Sequence, residues 1–195
     1  LLRDAFFHGT PKQRRAVIMF DEAGGYPFFG HVEQLHPLLN DPSFETRMTA
    51  VSMILLNDRD DPVAEQMMLS MLNSGDRQQI VPACEELARQ GEPSKRLLEA
   101  TLKLFIDNDD PEISVAALLA LSKGHEYGRV DLRMENAQFC HALLAKIKNG
   151  VLEGPQAHLA FTQMQPTAFP VYLEALRSAD KTQRDRLLPL AKCES

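Results

Sequence analysis

Asp110-Pro111-Glu112-Ile113-Ser114-Val115-Ala116-Ala117-Leu118-Leu119-Ala120-Leu121 reads as the opening of a helix enclosed on nearly all sides. Asp110 offers a side-chain oxygen to the free N–H groups of the first turn, and Pro111 at the first helical position forfeits no hydrogen bond. From Ile113 onward the run is apolar almost all round, as in a helix buried between neighbours. Asp41-Pro42-Ser43-Phe44-Glu45-Thr46-Arg47-Met48-Thr49-Ala50 starts with the same device.

Working outward, the device recurs at Thr10-Pro11, Asp76-Arg77, Gly154-Pro155 and Asp180-Lys181. Three starts add a Gln three residues on (Gln13, Gln79, Gln183), the reciprocal partner of a capping box. Successive starts are 31, 35, 34, 44 and 26 residues apart, a mean of 34. A period of that size signals stacked helical hairpins, since one hairpin cannot bury its apolar face alone. Between the starts, Leu, Ala, Met, Glu, Gln and Arg dominate, all strong helix formers. Ile80, Cys84, Leu87 and Ala88 share one helical face, as do Leu97, Leu98, Thr101, Leu102 and Phe105. The pattern predicts an all-α chain with helices near 1–8, 11–22, 31–40, 42–57, 61–73, 76–90, 92–107, 111–123, 131–149, 155–164, 166–178 and 180–192. Pro37, Pro82, Pro170 and Pro189 fall inside these segments and are expected to bend or end them.

The Asp-Pro start, later Arg47 and small Ala50 of the 41–50 stretch resemble the second helix of a HEAT repeat. The 110–121 stretch is similar, with Ala116 where that family usually has Arg. The resemblance covers most of the chain and is weakest in the last two repeats. Tetratricopeptide repeats share the period, but their Trp-Leu-Gly-Tyr pattern is missing and the chain has no Trp. The resemblance implies a right-handed α-solenoid of about six hairpins (1–22, 31–57, 61–90, 92–123, 131–164 and 166–192) forming a single domain over 1–195.

It also implies a binding scaffold whose second helices line the concave face. Carried onto this chain, the polar candidates are Arg14, Thr46, Arg47, Glu85, Arg89, His158 and Arg184. Glu85 and Arg89 lie four apart, opposite Ile80, Cys84 and Leu87, so periodicity alone predicts their exposure. Two connections add candidates: the glycine-bounded loop 24–30 with Tyr26, Phe28 and Phe29, and the loop 123–129 with His125, Tyr127 and Arg129. Aromatics and Arg are favoured interface anchors. The competing explanation, that Phe28 and Phe29 fold over the core and that the second loop accommodates an insertion, is the more economical one.

The expected occupant is another protein, or another domain of the parent chain. Two enzyme relatives within the resembled group compete with that expectation. One is a phycobilin-lyase-like subunit, which implies a bound tetrapyrrole. The other is a DNA alkylation-repair glycosylase-like protein, which implies a basic concave face with aromatic residues. The net charge of −6, the absence of Trp and the lack of a Lys/Arg stripe weigh against the second and against nucleic acid generally.

Catalytic chemistry has little support in the residues. Cys84, Cys140 and Cys193 are odd in number, far apart and without CxxC spacing, which suits buried thiols in a reducing cytoplasm. His31 and His36 are five apart, off the i, i+4 spacing of a helical metal pair, so no metal or cofactor is expected. The acids at 107–110 with Glu112 look like the start of a calcium loop, but positions six and twelve hold Glu112 and Leu118, so helix capping explains them. Met48, Met53, Met67, Met68 and Met71 sit in apolar stripes and read as core fillers rather than as an adaptable groove. No apolar run approaches the roughly 18 residues that a membrane span needs. The opening Leu1-Leu2-Arg3-Asp4 is not read as a secretory signal, and a piece of a longer protein stays open.

Overall fold

The computed structural model describes residues 35–90, 93–126, 137–153 and 169–192, together with 4, 5, 8–10, 13 and 33. Among these residues the secondary structure is entirely helical, and no helix is long and apolar enough to cross a membrane. The chain divides into two compact units, Leu1–Ser74 and Gly75–Ser195.

In the first unit, a 3-10 turn at His36–Asn40 leads into α1 (Phe44–Asn57) and α2 (Pro62–Leu72). The sequence predicts one helix over 31–40; its described end is the tighter 3-10 form, with Pro37 in the first turn rather than at an internal kink. The cap of α1 is Ser43, whose hydroxyl accepts from the Thr46 N–H, and not the expected Asp41. Asp41 instead accepts from the Ser43 N–H at 2.9 Å, a short-range turn that competes with capping. Leu38 and Leu39 of the 3-10 turn and Met48, Val51, Ile54 and Leu55 of α1 are buried together with Met68, Leu69, Met71 and Leu72 of α2. Four of the five clustered methionines therefore fill core, and Met67 is half-buried. Each such side chain contributes roughly 1.5–3 kcal/mol of transfer free energy.

The second unit contains α3 (Arg77–Gln90), α4 (Lys95–Asp107), α5 (Pro111–Glu126), α6 (Ala137–Lys148), α7 (Phe169–Arg177) and α8 (Lys181–Leu187), followed by a 3-10 turn at Leu188–Lys192. α3 packs on α5, α4 packs on both α5 and α6, and α6 packs on α7 and α8. Ile80, Cys84 and Leu87 of α3, and Leu97, Leu98, Thr101 and Phe105 of α4, are buried as their spacing predicts, while Ala88 and Leu102 at the edges of the same faces are half-buried. Of the four prolines expected within helices, Pro82 alone lies well inside one; Pro170 is the second residue of α7 and Pro189 the second of the closing 3-10 turn. First-turn prolines cost no hydrogen bond, so they start helices instead of bending them. α5 runs on to Glu126, so 123–126 are helical where a loop is predicted, and Gly124 is carried at about 1 kcal/mol by the packed turns before it.

The capping boxes expected at Gln13 and Gln183 are present: Thr10 and Gln13 exchange hydrogen bonds of 2.8 and 3.3 Å, and Asp180 and Gln183 bonds of 3.1 and 2.8 Å. Gln79 directs its side-chain amide to the Asp76 carboxylate instead, at 3.2 Å. α6 ends in a Schellman motif, with Val151 N–H on Lys146 O and Gly150 N–H on Ile147 O, and Gly150 at φ +73°. A Cβ at Gly150 would stand 2.8 Å from the Arg186 guanidinium carbon, and Arg186 is itself fixed to Lys148 O. Gly150→Ala is therefore expected to cost about 1–2 kcal/mol from the left-handed backbone alone, read as a lower urea midpoint.

Candidate functional site

α3 and α5 lie side by side, and their first turns meet. Arg77, the first residue of α3, places a guanidinium nitrogen 3.2 Å from Glu112 and 3.9 Å from Asp110 at the start of α5. From there Val81 and Glu85 on α3 advance alongside Glu112, Val115, Ala116 and Leu119 on α5, so the two helices run in the same direction. Between them lies an open groove of about 350 Å³, lined by these residues and Pro111. Its surface is mostly hydrocarbon, and Leu119 stands 41% exposed on one wall. Over 113–122 of α5, Leu119 is exposed and Val115 half-buried, and both line this groove; the other residues of that stretch are buried.

Asp110 explains why α5 starts where it does: its carboxylate accepts from the Glu112 and Ile113 N–H groups at 2.9 and 3.2 Å. Asn108 braces the same turn by accepting from the Asp110 N–H at 2.8 Å, while its carbonyl takes the Ser114 hydroxyl. Of the acids at 107–110, Asp110 is the capping residue, while Asp107 pairs with Lys103 and Asp109 with Lys146. Arg77 links the two helix starts through an exposed ion pair worth only about 0.2–1 kcal/mol, so it sets register more than stability.

The candidates named from sequence fall in different places. Glu85 is exposed on the groove. Arg89, one turn further, is exposed but held by the buried Glu86, which also accepts from Gln90. Arg47 is tied down locally: it donates to the Asp41 and Pro42 carbonyls at 2.7 and 3.1 Å, and its guanidinium lies 5.9 Å from the centre of the Phe44 ring. Thr46 is buried, 5% exposed, and has no surface to offer. Arg184 is exposed and donates to Leu176 O. His125 lies on the final turn of α5, and its side chain is outside the described residues. Arg14, Tyr26, Phe28, Phe29, Tyr127, Arg129 and His158 also lie outside them.

Sequence reasoning missed Val81, Val115, Ala116 and Leu119 as a face. The available signal was the i, i+3, i+7 stripe Glu112–Val115–Leu119, which starts polar and so points toward water at one end.

Neither described thiol is chemically poised. Burial, with Glu85 adding to it, pushes Cys84 up to about 12, and burial likewise raises Cys140. Both are buried, and neither is in a disulfide. At pH 8 Cys84 is expected to resist iodoacetamide in the native chain and to react in urea, as read by peptide mass spectrometry. Rapid native alkylation would contradict its burial. Among the described residues no group of three His, Cys, Asp or Glu side chains is placed to hold a metal ion. Comparison with protein-family models, with characterised proteins and with solved structures finds no match to this chain.

Proposed function

We propose that the chain is a non-catalytic protein–protein interaction scaffold, or an accessory domain of a larger protein, built as a HEAT-like right-handed solenoid. The observation that carries this reading is the pair α3 and α5, parallel neighbours with an open apolar groove on their outer surface. They are the second helices of successive predicted hairpins. Stacked hairpins pack second helix on second helix and first on first. The contact of α4 with α6, both first helices, follows the same rule.

The partner is another protein or another domain of the parent chain. A chain of net charge −6 is a poor match for a phosphate backbone. Buried thiols outside any disulfide suit the reducing cytoplasm, where we place it.

Affinity capture from native lysate, with nuclease treatment, tests the reading on wild type and on Leu119→Asp. Leu119 is exposed, so the substitution leaves the core intact. A protein retained by wild type and lost from Leu119→Asp is the expected result. A coloured eluate, or nucleic acid in place of a protein, would contradict it.

A further inference from the structure

We infer that the groove between α3 and α5 receives a basic amphipathic segment of its partner. An apolar side chain sits over Val81, Val115 and Ala116 against Leu119, and a Lys or Arg beside it reaches Glu85. This rests on the scaffold reading above and gives its partner a chemistry.

The apolar half follows from the lining. A space of 350 Å³ is at the small end of the roughly 300–1,000 Å³ of small-molecule pockets, enough for one or two side chains. Nothing in its lining is built to orient a polar ligand; the polar groups are two carboxylates at its edges.

The basic half follows from charge. Around the groove stand Glu85, Glu112 and Asp110, set against Arg77, and Arg77 is shared between the last two. Among the described residues no cation pairs with Glu85. The nearest on its own helix face, Arg89, is engaged by Glu86. An incoming segment that covers Val81 and Val115 removes water from beside Glu85, which strengthens the carboxylate's attraction for a cation and its repulsion of an acid. A second copy of this chain would bring the same acidic rim against itself.

The test uses the full chain and short synthetic amphipathic peptides, one of Leu and Lys and one with each Lys replaced by Glu. Fluorescence anisotropy at physiological salt reads affinity, and methyl NMR reads position. The Leu/Lys peptide is expected to bind, shifting the methyls of Val81, Val115 and Leu119, and to weaken about tenfold against Glu85→Lys, the size of one charge-assisted contact. Equal binding of the Leu/Glu peptide, or unchanged affinity in Glu85→Lys, would overturn the basic partner. Shifts confined to other residues would overturn the groove. Sedimentation revealing a dimer that Glu85→Lys dissociates would replace the peptide with a second copy. If a captured native partner is lost with Leu119→Asp but kept by Glu85→Lys, the scaffold reading stands and this inference fails.

Discussion

Phe105→Ala is expected to destabilise the unit Gly75–Ser195 by about 3–5 kcal/mol, the usual cost of removing a fully buried aromatic ring. Phe105 on α4 is 0% exposed, and its ring centre lies 5.0 Å from that of Phe139 on α6. The Lys146 ammonium, on a residue only 3% exposed, sits 5.4 Å above the same ring. Lys146 also donates to the Asn108 carbonyl and, at 3.1 Å, to the exposed Asp109 carboxylate. One ring therefore joins α4 to α6 and shelters the lysine stem that pins the turn before α5. Phe105→Leu keeps most of the apolar volume and is expected to lose about 1 kcal/mol, chiefly the ring contacts. Urea unfolding followed by circular dichroism measures both, since the chain has no Trp. A loss below about 1 kcal/mol for Phe105→Ala would mean that the two helices are not held here.

Asp61→Ala is expected to cost about 2 kcal/mol, at the upper end for a helix cap. Asp61 is 6% exposed and accepts from the Val63 and Ala64 N–H groups at 3.0 and 2.8 Å, with the His36 ring 2.8 Å from its other oxygen. Burial raises its pKa, but the Ala64 N–H, His36 and the Val63 N–H together outweigh burial and leave it below the ordinary 3.8. A carboxyl whose folded pKa is depressed binds its proton more weakly when folded, so protonation favours unfolding. Its contribution is present above pH 3.8 and lost as pH falls through the lower folded value. The part of the stability difference between wild type and Asp61→Ala that comes from the carboxylate should therefore shrink as pH falls below 3.8. A difference that grows on acidification would reverse the assigned sign.

Much of the helical framework was legible because its signals are local. A cap and its reciprocal Gln need only four residues, and Thr10–Gln13 and Asp180–Gln183 form as their spacing predicts. The buried faces of α3 and α4 follow from periodicity in the same way. Choices between two competent local groups were not legible. Asp41 and Ser43 can each cap α1, and the side chain of Arg47, folded back onto the Asp41 and Pro42 carbonyls, accompanies the Ser43 outcome. The extension of α5 through Gly124 is likewise a tertiary override of a local preference.

The groove was half legible. Glu85 stood out as a charge opposite an apolar face, and it is exposed. Leu119 was hidden in a run that is apolar almost all round, where pattern alone cannot say which leucine lacks a neighbour. Arg89 looked as free as Glu85, but a buried glutamate one turn back takes it. Reversing Arg89 would thus place like charges together at Glu86 and confound a test of binding. Lys146 was unreadable for a different reason: it reaches across 37 residues to Asp109, and no local rule spans that distance.

Hydrogen–deuterium exchange of the chain alone and with its captured partner tests the docking face most directly. The scaffold reading predicts new protection in α3 and α5, centred on Val81–Glu85 and Glu112–Leu119, with the rest of the described helices unchanged. Protection confined to other segments, with α3 and α5 exchanging as before, would contradict it.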